Sequence, residues 1–180
     1  PSRPTAVMTP EACVEALALL HETGRVIHIA GGEAMPHWDA LATALEQAHR
    51  RGLAPHFIET NASFAGRDDL VRDRFEFMAR HGVRGLYASA DPYHQEFVPA
   101  ANFLRVRRWA DAIFGERNFY GPRVGPEVVE GYEAIARDEA RRRDYVRQHQ
   151  PVLVGRAQRD LAGDLDRVPW QDPRLPMQIG

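Results

Sequence analysis

The pattern of apolar and polar positions predicts helices that alternate with short strands along the first two thirds of the chain. Thr9 and Pro10 are typical of a helix start, and Gly24 is typical of its end. Similar signals predict two further helices over about 36–51 and 68–81. The residues expected to face inward are Ala12, Cys13, Ala16, Leu17 and Leu20, then Trp38, Leu41, Ala42, Leu45 and Ala48, and then Leu70, Val71, Phe75 and Met78.

Apolar segments between these helices predict buried strands. The segments start at residues 26, 55 and 83, so that successive starts are 29 and 28 residues apart. That spacing is typical of βα units, and three units in succession predict a parallel sheet. Further along, the pattern predicts a helix over 100–114, a short strand over 118–120 and one long helix over 126–148. We expect two domains, a partial barrel over 1–125 and a helical extension over 126–180 with a last strand at 151–157 and an irregular tail.

Polar residues follow each of the first three predicted strands. In parallel α/β folds, ligands bind at the carboxyl ends of the strands. Side chains alternate between the two faces of a strand, so that Ile58, Leu86 and Ala88 are expected to lie under helices, on the face opposite Glu59 and Tyr87. We expect the polar strand ends to converge on one rim, formed by Gly31, Gly32 and Glu33, by Glu59, Thr60 and Asn61, and by Ser89, Asp91, Tyr93 and His94.

Several of these residues also have a purely structural interpretation. The two glycines are compatible with a simple tight turn, and Asp91 before Pro92 is a common turn former. His28, in the middle of a predicted strand, is expected to be a core residue, and Cys13 is expected to be packing on the apolar side of a helix.

Composition narrows the classes of protein that fit. The chain has 180 residues, 44% of them hydrophobic and 27% charged, which is typical of a globular domain. A net charge of −2 argues against a nucleic-acid partner, and no apolar run reaches the length of a membrane helix. Cys13 is the only cysteine, which excludes an internal disulfide or a thiolate metal cage made by this chain alone. We therefore expect a cytoplasmic protein.

Taken in order, the strand ends resemble the motifs of the radical S-adenosylmethionine (radical SAM) superfamily. The segment 27–33 is similar to its Gly-Gly-Glu motif, 58–61 to its Thr-Asn motif and 86–91 to its Ser-x-Asp motif. The segment 154–157 resembles a Gly-Arg-Ala sequence of members that carry an additional cluster domain. The resemblance covers about 5–115 and, more weakly, 151–157.

The resemblance implies an α/β fold, a partial (β/α) barrel of the radical SAM type. It implies that the rim binds S-adenosylmethionine, with backbone groups of the Gly-Gly-Glu segment on the methionine amino group and other strand-end groups on the ribose and carboxylate. It also implies a [4Fe–4S] cluster, reduced by a donor such as flavodoxin or ferredoxin, and a 5′-deoxyadenosyl radical that abstracts hydrogen from a small-molecule or peptide substrate. Tyr93, His94 and Glu96 would face that substrate.

The sequence departs from the family pattern in two ways. Ala34 stands where a proline commonly follows the Gly-Gly-Glu motif, and the Cys-x3-Cys-x2-Cys cluster loop is missing. Because thiolates hold such clusters, we expect the first strand and the cluster ligands to lie upstream of this chain, which alone would be inactive. Two other interpretations stay open at this point. One is a non-catalytic remnant that binds S-adenosylmethionine or a nucleotide. The other is a metal-dependent barrel hydrolase with ligands drawn from His28, Glu33, Glu59, Asp91 and His94.

Overall fold

The structure is a computed structural model that describes residues 7–149. Helices and short parallel strands alternate through most of this region. The helices are α1 (Pro10–His21), α2 (Trp38–Arg50), α3 (Asp68–Arg80), α4 (Pro92–Gln95), α5 (Ala100–Phe114), α6 (Pro126–Ala136) and α7 (Glu139–His149). The strands are β1 (His28–Ile29), β2 (Phe57–Thr60), β3 (Gly85–Ala88) and β4 (Phe119–Tyr120).

The four strands form one parallel sheet in the order β1-β2-β3-β4. The register pairs Ile29 with Ile58, Ile58 with Leu86 and Leu86 with Phe119. The predicted α/β class with a parallel sheet is therefore confirmed, and the strand starts at 28, 57 and 85 keep the predicted repeat. Closure into a barrel and the radical SAM type stay predictions.

The helices begin and end largely where the sequence signals place them. Thr9 caps α1, since its Oγ1 accepts a hydrogen bond from the backbone N of Ala12 at 3.2 Å. Helix α5 has the predicted bounds, and α3 buries Val71, Phe75 and Met78 as expected. In α1, however, the buried residues are Val14 and Leu17, and Leu20 is exposed. The inward stripe of α1 is thus rotated relative to the prediction.

Two predicted elements are wrong in detail. The single helix expected over 126–148 is two helices, α6 and α7, because Asp138 starts a new helix by accepting hydrogen bonds from the backbone N atoms of Ala140 and Arg141 at 3.0 and 3.1 Å. Strand β1 covers only two of the five predicted residues, and Val26 is 67% exposed. Helix α4 was not predicted at all.

The two faces of the sheet have different surroundings. Ile58, Leu86 and Ala88 are fully buried, as predicted for the helix-covered face. The core on this side is completed mainly by residues of α2, α3 and α5, namely Leu41, Leu45, Val71, Phe75, Met78, Phe103, Val106 and Ala110. The opposite face, which we call the open face, carries His28, Phe57, Glu59, Tyr87 and Tyr120, all at least partly exposed. The prediction of a core position for His28 is therefore wrong.

The chain divides into two compact units. The first extends to Ala134, and the second begins at Ile135, with 135–149 as its described part. The sequence placed a domain boundary nine residues earlier, between 125 and 126, ahead of α6. The predicted strand at 151–157 and the irregular tail lie outside the described residues. Within the described helices, none has both the length and the apolar character needed to cross a membrane.

Candidate functional site

The segment after β1 exposes its backbone at the carboxyl edge of the sheet. Gly31 has a φ of 146°, a conformation that side chains with a Cβ rarely adopt, and both Gly31 and Gly32 are exposed. A Cβ placed on either glycine would meet nothing within 4 Å. The bend therefore leaves open space against the main chain, which is the space that a ligand needs to approach backbone N–H and C=O groups.

The carboxylate of Glu33 joins this bend to the end of β2. Its Oε2 accepts the backbone N–H of Asn61 at 2.6 Å, and its Oε1 accepts the hydroxyl of Thr60 at 2.9 Å. The same Oε1 accepts the backbone N–H of Met35 at 3.2 Å. Two of the three strand ends named from the sequence are thus held together by one side chain. Glu33 acts here as a brace between them.

The turn after β2 is held by further contacts. Thr60 is 3% exposed, and its Oγ1 also accepts the backbone N–H of Ala62 at 3.0 Å. Asn61 Oδ1 accepts the backbone N–H of Ser63 at 2.9 Å. From α5, Asn102 donates to the carbonyl of Ala62 at 3.3 Å. This turn is therefore fixed by side chains on both sides, and Asn61 itself is partly exposed there.

A partly buried arginine supports the same region and was not foreseen from the sequence. Arg74 of α3 donates to the carbonyl of Met35 at 2.8 Å. Its guanidinium lies 4.8 Å from the ring of Trp38 and 5.3 Å from the ring of Phe64. Burial lowers the pKa of Arg74 below its ordinary value, partly offset by the negative charge of Asp39. Nothing in the helical pattern of α3 distinguishes this arginine from its exposed neighbours.

The end of β3 turns directly into the short helix α4. The backbone N of Ser89 donates to the carbonyl of Thr60 at 3.2 Å, which continues the sheet pairing to this point. Asp91 caps α4, with Oδ1 accepting the backbone N–H groups of Tyr93 and His94 at 2.8 and 3.0 Å. Its Oδ2 lies 2.7 Å from Nδ1 of His94. Both oxygens of Asp91 are thus engaged within its own turn.

The electrostatics of this turn favour an ionised Asp91. Burial alone would raise the pKa of the Asp91 carboxyl, but the hydrogen bond and charge of His94 and the backbone N–H groups of α4 hold it below its ordinary value. Gln95 is 6% exposed, and its Oε1 accepts the backbone N–H of Asp91 at 2.9 Å. Sequence reasoning missed both α4 and Gln95, although Asp followed by Pro is also a signal for a helix start.

The open face adds aromatic rings and one carboxylate. His28 stacks on Phe57 with ring centroids 4.8 Å apart, and the ring of Tyr120 lies 5.0 Å from that of Phe57. Gly85 allows β4 to approach closely here, since a Cβ at Gly85 would clash with the carbonyl oxygen of Asn118 and lie 3.0 Å from the ring of Tyr120. Glu59 pairs with His28 at 3.4 Å between Oε1 and Nε2, and both side chains are more than one third exposed.

The residues suggested as metal ligands do not come together. Within the described part of the chain, no group of three or more His, Cys, Asp or Glu side chains is placed to hold a metal ion. Glu33 braces β2, while Glu59 pairs with His28 and Asp91 pairs with His94. This arrangement gives the hydrolase interpretation no support.

The chain also does not fit an iron–sulfur cluster. Cys13 is partly buried beside the small core between α1 and α2, and burial raises the pKa of its thiol. A raised pKa favours the neutral thiol over the thiolate that binds iron. No second cysteine is present in the sequence.

Comparison with known proteins adds no relative. No protein-family model, curated protein or solved structure matches the chain. Membership of the radical SAM superfamily therefore stays a prediction from the sequence motifs.

Proposed function

We propose that this chain binds S-adenosylmethionine at the carboxyl edge of its sheet, as the cofactor-binding part of a radical SAM enzyme. The observation that carries the proposal is the open bend at Gly31 and Gly32, which Glu33 braces against the end of β2. A zwitterionic amino acid group needs close approach to backbone N–H and C=O groups, and this bend offers it. When bound, S-adenosylmethionine supplies a sulfonium centre whose cleavage is the chemistry of the superfamily.

The open face supports a cationic ligand with a flat ring system. Phe57, Tyr87 and Tyr120 supply aromatic surface, and Glu59 supplies a partly exposed carboxylate beside them. Aromatic faces and a carboxylate attract cations, and aromatic rings also stack on flat heterocycles. S-adenosylmethionine combines a sulfonium, an ammonium and an adenine ring. The chemistry of this face therefore matches the chemistry of the ligand.

Most of the residues predicted at the cofactor site have a role in this proposal. Gly31 and Gly32 offer backbone groups, Asn61 and Ser89 offer neutral hydrogen-bonding groups for the ribose, and Glu59 faces the cation. Glu33 and Thr60 hold the shape of the site through their mutual hydrogen bond. A cofactor contact by Asp91, and substrate contacts by Tyr93 and His94, remain predictions. The cluster step is no part of what this chain performs alone, because it lacks the thiolates.

Calorimetric titration of the full chain with S-adenosylmethionine tests the proposal. We expect saturable binding, weakened about tenfold or more by Gly32→Ala, which corresponds to about 1.4 kcal/mol. The added methyl group meets nothing in the free protein, so that lost affinity reports a ligand against the bend. S-adenosylhomocysteine, which lacks the sulfonium charge, should bind more weakly than S-adenosylmethionine.

Gly131→Ala is the matched control. Gly131 lies in α6, and a Cβ there also meets nothing within 4 Å. We expect this variant to bind S-adenosylmethionine as the parent chain does. Absence of any binding to the parent chain, or equal affinity in the parent chain and Gly32→Ala, would refute the proposal.

A further inference from the structure

Asp91 and His94 form a side-chain pair whose geometry fixes where the hydrogen of the imidazole lies. Asp91 Oδ2 lies 2.7 Å from His94 Nδ1. An ionised carboxylate only accepts hydrogen bonds, so that Nδ1 must carry the hydrogen. In the neutral ring, Nε2 then keeps its lone pair. No described residue hydrogen-bonds to Nε2, and the side chain of His94 is 36% exposed.

A second polar group at the same turn lacks a partner. Gln95 is 94% buried, and its Oε1 is used by the backbone N–H of Asp91. That contact fixes the orientation of the amide and leaves Nε2 as a buried donor with no acceptor among the described residues. A buried donor without an acceptor costs about 1–3 kcal/mol. A water or ligand oxygen that reached this atom would remove that cost.

We propose that His94 Nε2 is a base that accepts a proton from a hydroxyl or ammonium group of a ligand bound at the carboxyl end of β3, with Asp91 as its positioning residue. The proton moves from the ligand oxygen or nitrogen to Nε2, and the electron pair of the broken bond stays on the ligand atom. The imidazolium that forms is stabilised by the adjacent Asp91 carboxylate. The inference goes beyond the binding of S-adenosylmethionine and does not depend on it.

Asp91→Asn separates the role of the carboxylate from its role as a helix cap. Asparagine is as good a cap as aspartate, so that its Oδ1 keeps the backbone N–H groups of Tyr93 and His94. Its Nδ2 then replaces Oδ2 and donates to Nδ1 of His94. The hydrogen of the imidazole must move to Nε2, and the proposed base loses its lone pair.

The tautomer of His94 is measured from the ¹⁵N shifts of its ring at about pH 8.5, where an ordinary imidazole is neutral. Two other histidines serve as references. His81 has Nδ1 2.8 Å from the carbonyl of Phe77 and so carries hydrogen on Nδ1, whereas His56 accepts the backbone N–H of Ile27 on Nδ1 at 3.0 Å. We expect His94 to resemble His81 in the parent chain and His56 in Asp91→Asn.

Reactivity reports whether the lone pair of His94 Nε2 is available to an electrophile. We expect carbethoxylation of His94 by diethylpyrocarbonate, followed by peptide mass spectrometry, to slow about tenfold or more in Asp91→Asn. Asp138→Asn is the control, since Asp138 also accepts backbone N–H groups at the start of a helix but has no imidazole partner among its described contacts. It should leave His94 unchanged.

Two results would overturn the proposal for His94. A His94 that resembles His56 in the parent chain overturns the proposal, and so does a tautomer change that leaves the rate of modification unaltered. If Asp91→Asn does not fold, Asp91→Ser keeps a capping hydroxyl and removes the carboxylate, and the same comparison applies. Titration with S-adenosylmethionine is a separate measurement, so that failure of one proposal does not count against the other.

Discussion

The two faces of the sheet are built from alternate residues of the same strands, and they are used in opposite ways. Ile58 and Leu86 on the covered face are fully buried, whereas their neighbours Glu59 and Tyr87 on the open face are partly exposed. Position along a strand therefore decides whether a residue contributes to packing or is available for chemistry. The comparison predicts that stability and ligand binding depend on different sets of residues only one position apart.

The largest contrast should come from a pair of adjacent truncations in β3. Leu86→Ala removes a fully buried side chain, and we expect it to lower the free energy of unfolding by about 2–5 kcal/mol. Tyr87→Ala, one residue later on the open face, should lower it by about 1 kcal/mol or less. Urea denaturation followed by circular dichroism measures both. Equal losses would mean that the open face is packed as tightly as the covered one.

The fold was predictable because its signals are local and repeated. Apolar runs between helix caps located three strands, and the repeat of 29 and 28 residues indicated a parallel sheet. The break between α6 and α7 was missed because helical periodicity continues on both sides of it, although Asp138 is itself a capping residue. His28 was misassigned because β1 lies at the edge of the described sheet and one of its faces is uncovered. Nothing in the sequence around His28 indicates that this face is uncovered.

The candidate site was less predictable, because long-range contacts define it. The sequence suggested that Glu33, Thr60 and Asn61 share one rim, and the structure joins them through hydrogen bonds across 27 and 28 residues. The sequence did not indicate that the carboxylate of Glu33 hydrogen-bonds to the protein itself rather than to a ligand. Arg74 approaches the site only through the packing of α3, so that no spacing in the sequence could identify it.

The second largest effect on stability is expected at the carboxyl edge of the sheet, where Glu33 hydrogen-bonds to the end of β2. Glu33→Gln replaces a carboxylate oxygen that accepts a hydrogen bond with an amide that donates, and leaves a backbone N–H or the Thr60 hydroxyl without an acceptor. We expect a loss of about 1–3 kcal/mol in the free energy of unfolding. Glu76→Gln is the matched control, because Glu76 is exposed on α3 with only a 3.9 Å contact to Arg80, and it should cost about 0.5 kcal/mol or less.

Thermal or urea unfolding of both glutamate variants measures these losses. A double-mutant cycle that combines Glu33→Gln with Thr60→Val measures the interaction energy between the two side chains. The cycle should show non-additive effects between Glu33 and Thr60, since each removes the same hydrogen bond. Additive losses would mean that Glu33 does not brace β2 in solution. Glu33 would then resemble the side chains of the open face, which are available to contact a ligand.

A smaller effect is expected in acid, at the turn after β3. The pKa of Asp91 is lowered in the folded chain, so that its ionised form stabilises the fold above its unfolded pKa, about 3.9. This contribution disappears as the pH falls through the lower folded pKa. The parent chain should therefore lose more stability between about pH 5 and pH 3 than Asp91→Asn does. Urea titrations across this range measure the difference, and parallel curves would contradict it.

The smallest effect on stability should come from the open face itself. Glu59 pairs with His28 at 3.4 Å with both side chains well exposed, and such pairs contribute about 0–1 kcal/mol. We expect the free energy of unfolding of Glu59→Gln to differ from that of the parent chain by no more than this amount. We also expect Glu59→Gln to weaken binding of S-adenosylmethionine more than Glu76→Gln does, since Glu76 is exposed on α3. A variant that loses affinity without losing stability would sharpen the contrast between the two faces. A loss of several kcal/mol in stability, with affinity for S-adenosylmethionine unchanged, would show that Glu59 contributes to packing. The contrast between the two faces would then be wrong.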